Sequence, residues 1–302
     1  MRKSNKTVSR TSPQNSRRGC LCKNGTYSTK CCDGSLQAQG VGNVYGTESY
    51  FLDSYGDASV AYSLRQLSST YSGYGIKIRR SSDSTTLNVG FLNGVIDSAS
   101  IVDFCTGTNG FVDTWYDQSG NGRHAVAPTT TAQPKIYDTS LGYLGYVLFG
   151  GNQYLPTTLS YTFDGLIDVY QVVQANGSGV YGRASLTNTY FGFYFNGGTS
   201  STFTGFDQYA NKTNNVVVGN TADNVYDSTV SKSIYSVRAR AKQSNTFWIG
   251  APYNSAYNNQ RFWECIIYKN QDRNDSNVVA LINNYYNSYE SANGERIIIN
   301  TH

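Results

Sequence analysis

The residues of this sequence best suited to chemistry are four cysteines that lie close together near the amino terminus. Cys20 and Cys22 come first, Asn24-Gly25 follows them, and Cys31 and Cys32 come next. Asn-Gly is typical of a tight hairpin turn, so we expect a small hairpin that brings the two cysteine pairs together. Such a cluster can bind one structural zinc ion, form two disulfides, or remain as packed free thiols. A redox-active Cys-x-x-Cys pair is absent, so we predict a structural role.

Glycoside hydrolysis, the other chemistry open to this chain, needs two carboxylates that flank the scissile bond. Of the four glutamates, Glu48 precedes the predicted domain, and Glu290 and Glu295 follow its last helix. Glu264 lies on the predicted closing strand, where alternation predicts that it faces solvent. Asp117 begins a loop rich in turn residues, and we interpret it as an Asx-type turn residue. A cation ligand and a catalytic acid are the alternatives for Asp117.

The remaining reactive side chains form no recognisable site. The two histidines, His124 and His302, have no nucleophile or second ligand near them in sequence, so we expect structural or surface roles. Gly-x-Ser-x-Gly, P-loop and His-Glu-x-x-His motifs are absent. Aromatic residues make up 14% of the chain, with 26 tyrosines, and can either stack on sugars or fill the core and subunit contacts. We expect packing to be their main role.

The net charge of +4 conceals two regions of opposite charge. The first 32 residues hold eight basic residues and no acidic one, which leaves 16 basic against 20 acidic residues in the remainder. A basic arm suits a negatively charged partner, and we favour an acidic protein lattice over nucleic acid. A solvated, disordered tail is the alternative. The predicted anchor contacts are Arg2, Lys3, Lys6, Arg10, Arg17 and Arg18.

The sequence shows no export signal and no membrane span. Residues 1–19 contain no apolar run, and no stretch approaches the ~20 apolar residues that a spanning helix needs. The composition, low in charge and rich in Tyr, Gly, Ser, Thr and Asn, is nevertheless typical of β-rich extracellular or virion proteins. We therefore expect a phage structural protein that is made in the host cytoplasm and exposed on the surface of the virion.

The periodicity of apolar residues predicts mostly strands. Helical spacing predicts short helices over 58–67 and 97–104, and a later helix that begins at Asp275 or Ser276. Many short strands with polar turns predict an all-β jelly roll or β-sandwich with short helices over residues 49–302, preceded by an extended arm over residues 1–48. The predicted strands are 74–80, 111–116, 146–149, 166–174, 190–195, 215–218, 233–238, 246–249 and 261–268, with 297–299 as an edge strand.

Four segments of the body carry a family resemblance. They are 62–67 (YSLRQL), 79–83 (RRSSD), Phe104-Cys105 and 115–120 (WYDQSG). In order and spacing they resemble the N-terminal part of the α-L-arabinofuranosidase B catalytic domain. The later run from 249 to 268, with the helix after it, is similar to the closing strand and helix of lectin-like sandwiches. The resemblance implies a concanavalin A-like β-sandwich over residues 60–290.

Two departures from that family argue against catalysis. The family carries its nucleophile on a Cys-Cys-Phe-Asp-Tyr-Gly-Asn-Ala-Glu motif, whereas the only Cys-Cys here, Cys31-Cys32, lies in the arm and precedes Asp-Gly. The family also has a cysteine five residues after the one that matches Cys105, where this chain has Gly110, so the family's disulfide cannot form. We therefore predict no catalytic residue, no enzymatic activity and no cofactor other than the zinc considered above.

The arm resembles the N-termini of virion proteins in tailed phages, including crAss-like phages. The likeness rests on its basic start and on the Gly-Cys-Leu-Cys … Cys-Cys-Asp-Gly pattern over residues 19–34. It implies a head fibre or capsid-decoration protein whose arm docks on capsid or other virion proteins. The lectin-like body would bind host or environmental glycans, with many copies acting together. A tail-associated adhesin and an arabinofuranosidase-like hydrolase are the alternatives, and a homo-oligomer, preferably a trimer, is expected.

Overall fold

The computed structural model describes residues 20–21, 27–31, 50–162, 164–175, 206–213, 216–217, 231–241, 244–250, 260–271 and 276–293. The chain divides into two compact units, Met1–Ser49 and Tyr50–His302. In the first unit, strand β1 (Cys20–Leu21) pairs antiparallel with β2 (Tyr27–Ser28), and a 3-10 turn (Thr29–Cys31) follows. This pairing confirms the predicted hairpin. The side chains of the four cysteines and the six anchor residues lie outside the description, so their roles stay predictions.

The second unit is built mainly of strands. Its described helices are α1 (Phe51–Ser54), α2 (Ser98–Cys105) and α3 (Ser276–Asn293), with a 3-10 turn at Thr130–Ala132. Its described strands are β3 (Val60–Ser63), β4 (Ile76–Arg80), β5 (Thr86–Val89), β6 (Phe91–Leu92), β7 (Val95–Ile96), β8 (Gly110–Trp115), β9 (Ala125–Val126), β10 (Lys135–Asp138), β11 (Gly142–Phe149), β12 (Tyr154–Tyr161), β13 (Leu166–Ala175), β14 (Phe206–Thr213), β15 (Val216–Val217), β16 (Ser233–Ala241), β17 (Asn245–Gly250) and β18 (Gln260–Lys269).

One large antiparallel sheet organises this unit. Its strand order is β15-β14-β16-β13-β18-β11-β10-β8-β4-β5, with β3 added on β18 and β9 on β8. The centre is regular, since β13 pairs with β16 from Leu166↔Arg240 to Val173↔Ser233 without a shift. Strands β12 and β17 form a separate antiparallel pair, and β6 and β7 form a short hairpin. The described part of the chain contains no helix long and apolar enough to cross a membrane.

The large sheet is covered on both faces, which makes the unit a sandwich. On β13, Val169 and Val173 pack into a core shared with the β12–β17 pair, including Leu155 and Phe247. The neighbouring side chains of β13 point the other way and pack into a second core beneath the helices. That second core includes Phe51, Ala61, Tyr170, Val172, Ile266, Val278 and Ile282. Alternation along the strands thus feeds two separate apolar layers.

The predicted class, an all-β sandwich of the concanavalin A-like type, is confirmed. The predicted helix over 97–104 is also confirmed, and Asp97 caps it by accepting a hydrogen bond from the amide of Ser100. The predicted late helix begins at Ser276, as expected. The predicted strands at 190–195 and 297–299 lie outside the described residues.

The predicted helix over 58–67 is wrong, because this segment contains strand β3 instead. All four residues of β3 are buried: Val60 and Tyr62 face one core and Ala61 faces the other. A strand covered on both faces loses the polar–apolar alternation by which strands are recognised. The spacing of Val60, Leu64 and Leu67 then imitates a helix.

The corner between α2 and β8 shows why Gly110 is small. A Cβ atom built on Gly110 would lie 2.6 Å from Sγ of Cys105 and 3.0 Å from Cβ of Tyr137. Such contacts are too short for non-bonded atoms. A disulfide between positions 105 and 110, with Cβ atoms about 3.8 Å apart, would fit this spacing after a small shift. Cys105 is a free, buried thiol, and burial raises its pKa to about 11.

We expect Gly110→Cys to form a disulfide with Cys105 under mildly alkaline oxidation. The bond would close a loop of about six residues and raise the free energy of unfolding by about 2 kcal/mol on chain entropy alone. Thiol titration and urea denaturation, each with and without reductant, measure both effects. Gly110→Ser is the matched control, since it adds a side chain of similar size against Cys105 but cannot cross-link. A Gly110→Cys protein that keeps both thiols after oxidation would show that the corner is not shaped for this bond.

Candidate functional site

The loop after β8 is held together by the carboxylate of Asp117. Its Oδ1 accepts hydrogen bonds from the amides of Ala61 and Ser119, each at 2.9 Å. Its Oδ2 accepts from the hydroxyl of Ser119 at 2.8 Å and from the amide of Arg123 at 3.0 Å. The two oxygens therefore have four donors, which is the capacity of a carboxylate. The predicted role as a turn residue is confirmed.

Gln118, which the sequence analysis did not single out, joins this loop to β3 and the residues after it. Its Oε1 accepts a hydrogen bond from the amide of Leu67 at 2.8 Å. Its Nε2 donates to the carbonyls of Ser63 and Arg65 at 3.2 and 2.9 Å. Gln118 is buried, so these bonds replace those that it would otherwise make with water. The signal in the sequence is its position beside Asp117, within the 115–120 segment that carries the family resemblance.

Glu264 forms a buried ion pair with Arg65, so the prediction that it faces solvent is wrong. Nε and Nη2 of Arg65 donate to the two carboxylate oxygens of Glu264 at 2.7 and 2.9 Å. The hydroxyl of Ser63 also donates to Glu264, at 2.8 Å. The side chains of Arg65 and Glu264 are only 5% and 1% exposed. Helix α3 covers this side of β18, which alternation along one strand cannot reveal.

Two tyrosines of α3 complete the surroundings of this ion pair. The guanidinium of Arg65 lies 4.2 Å from the ring centre of Tyr285 and 5.5 Å from that of Tyr286. The hydroxyl of Tyr286 donates to Glu264 at 3.2 Å. Burial disfavours the charged form of Arg65, but the adjacent carboxylate more than offsets this, so the pKa of Arg65 is raised above its usual value. For Tyr286 burial acts in the other direction: it raises the pKa of the phenol, and the charge of Glu264 adds to the effect.

His124 has a structural role, as predicted. Its Nδ1 accepts a hydrogen bond from the amide of Asp117 at 3.1 Å, and its ring packs edge-on against Tyr116 at 4.9 Å. His302 lies outside the described residues. Groups of three or more metal-binding side chains are absent from the described residues. The side chains of the four cysteines are not among the described ones, so the zinc predicted there stays a prediction.

A cavity of about 260 Å³ opens beside this loop. Three segments surround it. They are helix α1 with the residues that follow it, the segment from Ser68 to Tyr71, and the segment from Gln118 to Gly120. The side chain of Asp57 and the hydroxyl-bearing side chains of Ser68 and Thr70 line it, and Tyr71 contributes an aromatic wall. It is a concave site beside the hydrogen-bonded loop that Asp117 and Gln118 hold in place.

Most other described carboxylates already have cationic or structural partners. Asp168 is 1% exposed and receives two hydrogen bonds from Arg238, at 2.8 and 2.9 Å. Asp113 pairs with Lys77 at 3.1 Å. Asp83 pairs with Arg80 at 2.6 Å on the exposed hairpin between β4 and β5. These carboxylates serve the sheet and its turns, so they are poor candidates for the acid and nucleophile of a hydrolase.

Comparison with known proteins agrees with this architecture. Residues 54–143 match the family model described as "Alpha-L-arabinofuranosidase B, catalytic". The chain is 38% identical over 76 residues to the α-L-arabinofuranosidase B of Aspergillus niger, and 40% identical over 62 residues to the probable enzyme of Aspergillus terreus. These matches cover 24% and 20% of this chain, and only 14% and 12% of the respective relatives.

Solved structures extend the likeness of the fold beyond that segment. A GH54 α-L-arabinofuranosidase soaked with a cyclic sulfate inhibitor has a TM-score of 0.52 at 16% identity. An arabinofuranosidase complexed with arabinofuranosyl-α-1,2-xylobiose has a TM-score of 0.51 at 19% identity. Each superposition covers 78% of this chain and 64% of the other. The body is therefore a glycosidase-like β-sandwich.

These matches contradict the prediction that the chain has no enzymatic activity. Residues 54–143 match the model of a catalytic-domain family, and the fold is similar to that of solved α-L-arabinofuranosidases. That prediction inferred a lack of glycosidase activity mainly from the absence of the family's nucleophile motif. A missing motif excludes only one position for the nucleophile, because a carboxylate can reach the same cleft from a different strand or loop.

We expect the Arg65–Glu264 pair to decide the stability of the unit. Arg65→Met or Glu264→Leu alone should lower the free energy of unfolding by about 3–5 kcal/mol, because either change leaves the other charge buried and unpaired. The double variant should lose much less than the sum of the two. Urea denaturation of the three proteins measures the coupling. Asp83→Asn, which breaks an exposed pair, is the control, and single variants no less stable than this control would refute the idea.

Proposed function

We propose that the Tyr50–His302 unit is a glycoside hydrolase of the arabinofuranosidase type, which releases terminal α-L-arabinofuranosyl residues from glycans. The observation that carries the proposal is the match of residues 54–143 to the arabinofuranosidase B catalytic family. The similar fold of arabinofuranosidases over 78% of the chain supports it. The matched segment includes the Asp117 loop and Arg65, whose buried contacts would support a substrate-binding cleft.

The carboxylates of the reaction must come from positions other than those of the family motif. One must protonate the leaving oxygen, and the other must attack the sugar or activate water. Asp117, Asp168 and Glu264 are committed to buried contacts, as described above. The chain has further aspartates between β13 and β16, whose side chains lie outside the description, and we propose that the catalytic pair is drawn from them. They are Asp207, Asp223 and Asp227.

Turnover of 4-nitrophenyl α-L-arabinofuranoside by the full-length protein tests the proposal. We expect measurable release of nitrophenol, and a loss of at least about 100-fold in kcat when a catalytic carboxylate becomes an amide, since acid–base catalysis contributes that much. Asp207→Asn, Asp223→Asn and Asp227→Asn should be assayed singly.

The control for this experiment is Asp83→Asn, which changes a carboxylate that is paired on an exposed hairpin. Its activity should equal that of the unmodified chain. Absence of turnover in the unmodified protein, at enzyme concentrations where a nitrophenyl glycoside is a sensitive probe, would refute the hydrolase. Turnover that survives all three substitutions would refute the proposed residues.

We also propose that the arm, residues 1–48, anchors this unit on a virion of a tailed, crAss-like phage, as part of a head fibre or capsid decoration. The supporting observation is the separation of charge: eight basic and no acidic residues in the first 32, before a body with an acidic excess. The boundary between the two compact units, after Ser49, supports a separate role for the arm. Capsid proteins would be the partners, and a trimer would give each particle several glycan-directed domains per anchor point.

Deletion of residues 1–40 tests the anchor. Both apolar cores are formed by residues from Phe51 onward, so the truncated protein should remain folded. We expect it to be absent from purified particles, as judged by immunoblotting against a capsid standard. A second variant, with glutamine at the six predicted anchor residues but all cysteines kept, should be incorporated less well, because an acidic lattice attracts the basic side chains. Undiminished incorporation of the truncated protein would refute the anchor.

A further inference from the structure

The cavity beside α1 has rigid walls. Oδ1 of Asp53 accepts hydrogen bonds from the hydroxyl of Ser68 at 3.2 Å and from the amide of Ser69 at 3.0 Å. Nε2 of Gln66 donates to the carbonyls of Ser68 and Tyr71 at 2.8 and 2.9 Å. On the opposite wall, the Asp117 and Gln118 contacts hold the Ser119–Gly120 turn. A ligand would therefore bind without first ordering either loop.

The groups that line the cavity suit a neutral, hydroxyl-rich ligand. The hydroxyls of Ser68 and Thr70 lie 3.0 Å apart, and because Ser68 donates to Asp53, Thr70 donates to Ser68. The oxygen of Thr70 therefore remains able to accept a hydrogen bond from a ligand hydroxyl. The carboxylate of Asp57, on an exposed residue, can accept from two adjacent hydroxyls. The residues that line the cavity include no lysine or arginine, so the site offers no charge to a phosphate or carboxylate ligand.

Tyr71 lines the cavity, and the rings of Tyr74 and Tyr116 form a separate pair near it. The ring of Tyr71 forms one wall, and its hydroxyl donates to the carbonyl of Tyr74 at 2.8 Å. Tyr74 is 50% exposed, and its ring centre lies 6.1 Å from that of Tyr116. Flat, apolar faces with polar edges pack well against the C–H faces of sugar rings. Burial, together with Asp117 and Tyr116, raises the pKa of Tyr71 to about 12, so this phenol stays a hydrogen-bond donor at neutral pH.

We propose that this cavity binds one neutral monosaccharide unit of a glycan, as a non-catalytic site distinct from the site of hydrolysis. A volume of about 260 Å³ is just below the range of drug-sized pockets, which fits one sugar ring. Asp57 is the one carboxylate on its wall, whereas glycoside cleavage needs two. The site would hold the polysaccharide while another part of the unit acts on it. Binding in the cavity itself requires no hydrolytic activity elsewhere in the unit.

Titration of the full-length protein with methyl glycosides tests the proposal. Methyl α-L-arabinofuranoside, methyl β-D-galactopyranoside and methyl α-D-glucopyranoside are suitable neutral probes, followed by ligand-observed NMR and calorimetry. We expect at least one of them to bind with a dissociation constant on the order of millimolar, as for other small, rigid ligands. The methyl β-glycoside of D-galacturonic acid, which is an anion at neutral pH, should bind at least about tenfold more weakly than methyl β-D-galactopyranoside. Its carboxylate would be repelled by that of Asp57.

Two conservative variants locate the binding. Asp57→Asn removes the charge but keeps a residue that tolerates the left-handed backbone found there, with a φ of 62°. Thr70→Val removes one hydroxyl from an exposed position without a change of shape. Each should weaken binding by about tenfold and leave turnover of the nitrophenyl arabinofuranoside unchanged. Asp83→Asn again serves as the control.

Three outcomes would overturn the proposal. They are no binding of any neutral probe at tens of millimolar, binding that both variants leave unchanged, and equal binding of the anionic and neutral galactosides. Loss of turnover in Asp57→Asn together with loss of binding would also contradict it, because the cavity would then belong to the hydrolytic site.

Discussion

The buried ion pair between Arg65 and Glu264 is the constraint around which the sandwich is arranged. Two charges removed from water must satisfy each other, and any shift of β3 along β18 would separate them. The pair therefore fixes the register of those strands, and Tyr286 ties helix α3 to the same point. Gln118 donates to the carbonyls of Ser63 and Arg65 and extends the network to the Asp117 loop. One polar network thus joins a strand pair, a helix and the wall of a cavity.

Part of this network lies within the segment that matches the family model. The family match ends at residue 143, and it includes Arg65, Asp117 and Gln118, whose contacts build the scaffold. Scaffold residues constrain one another through buried hydrogen bonds, whereas a catalytic carboxylate needs only to project into a cleft. The likeness in sequence can therefore be high in the framework while the acid and nucleophile occupy other positions. The same framework leaves a rigid, hydroxyl-lined cavity where the chain turns away from the sheet.

Local signals in the sequence were sufficient for much of the fold. The helical spacing of Ile101 and Phe104 specified α2, and turn-bounded apolar runs located β8, β13, β16 and β18 to within a few residues. The interpretation of Asp117 was equally local, because two of its four hydrogen bonds go to Ser119, two residues away. Where both faces of a strand are covered, as in β3, the local pattern failed, since burial on two sides removes alternation.

The sequence by itself determined the all-β class, the hairpin in the arm, the contrast in charge between arm and body, and the role of Asp117. The tertiary structure alone decided that Glu264 is buried, that Gln118 joins the loop to β3, and that Cys105 lies against Gly110. It also formed the cavity from three separate segments. The reason is separation along the chain: Arg65 and Glu264 are 199 residues apart, and only the pairing of β3 with β18 brings them together. Patterns confined to one segment carry no record of the partner that a folded chain supplies.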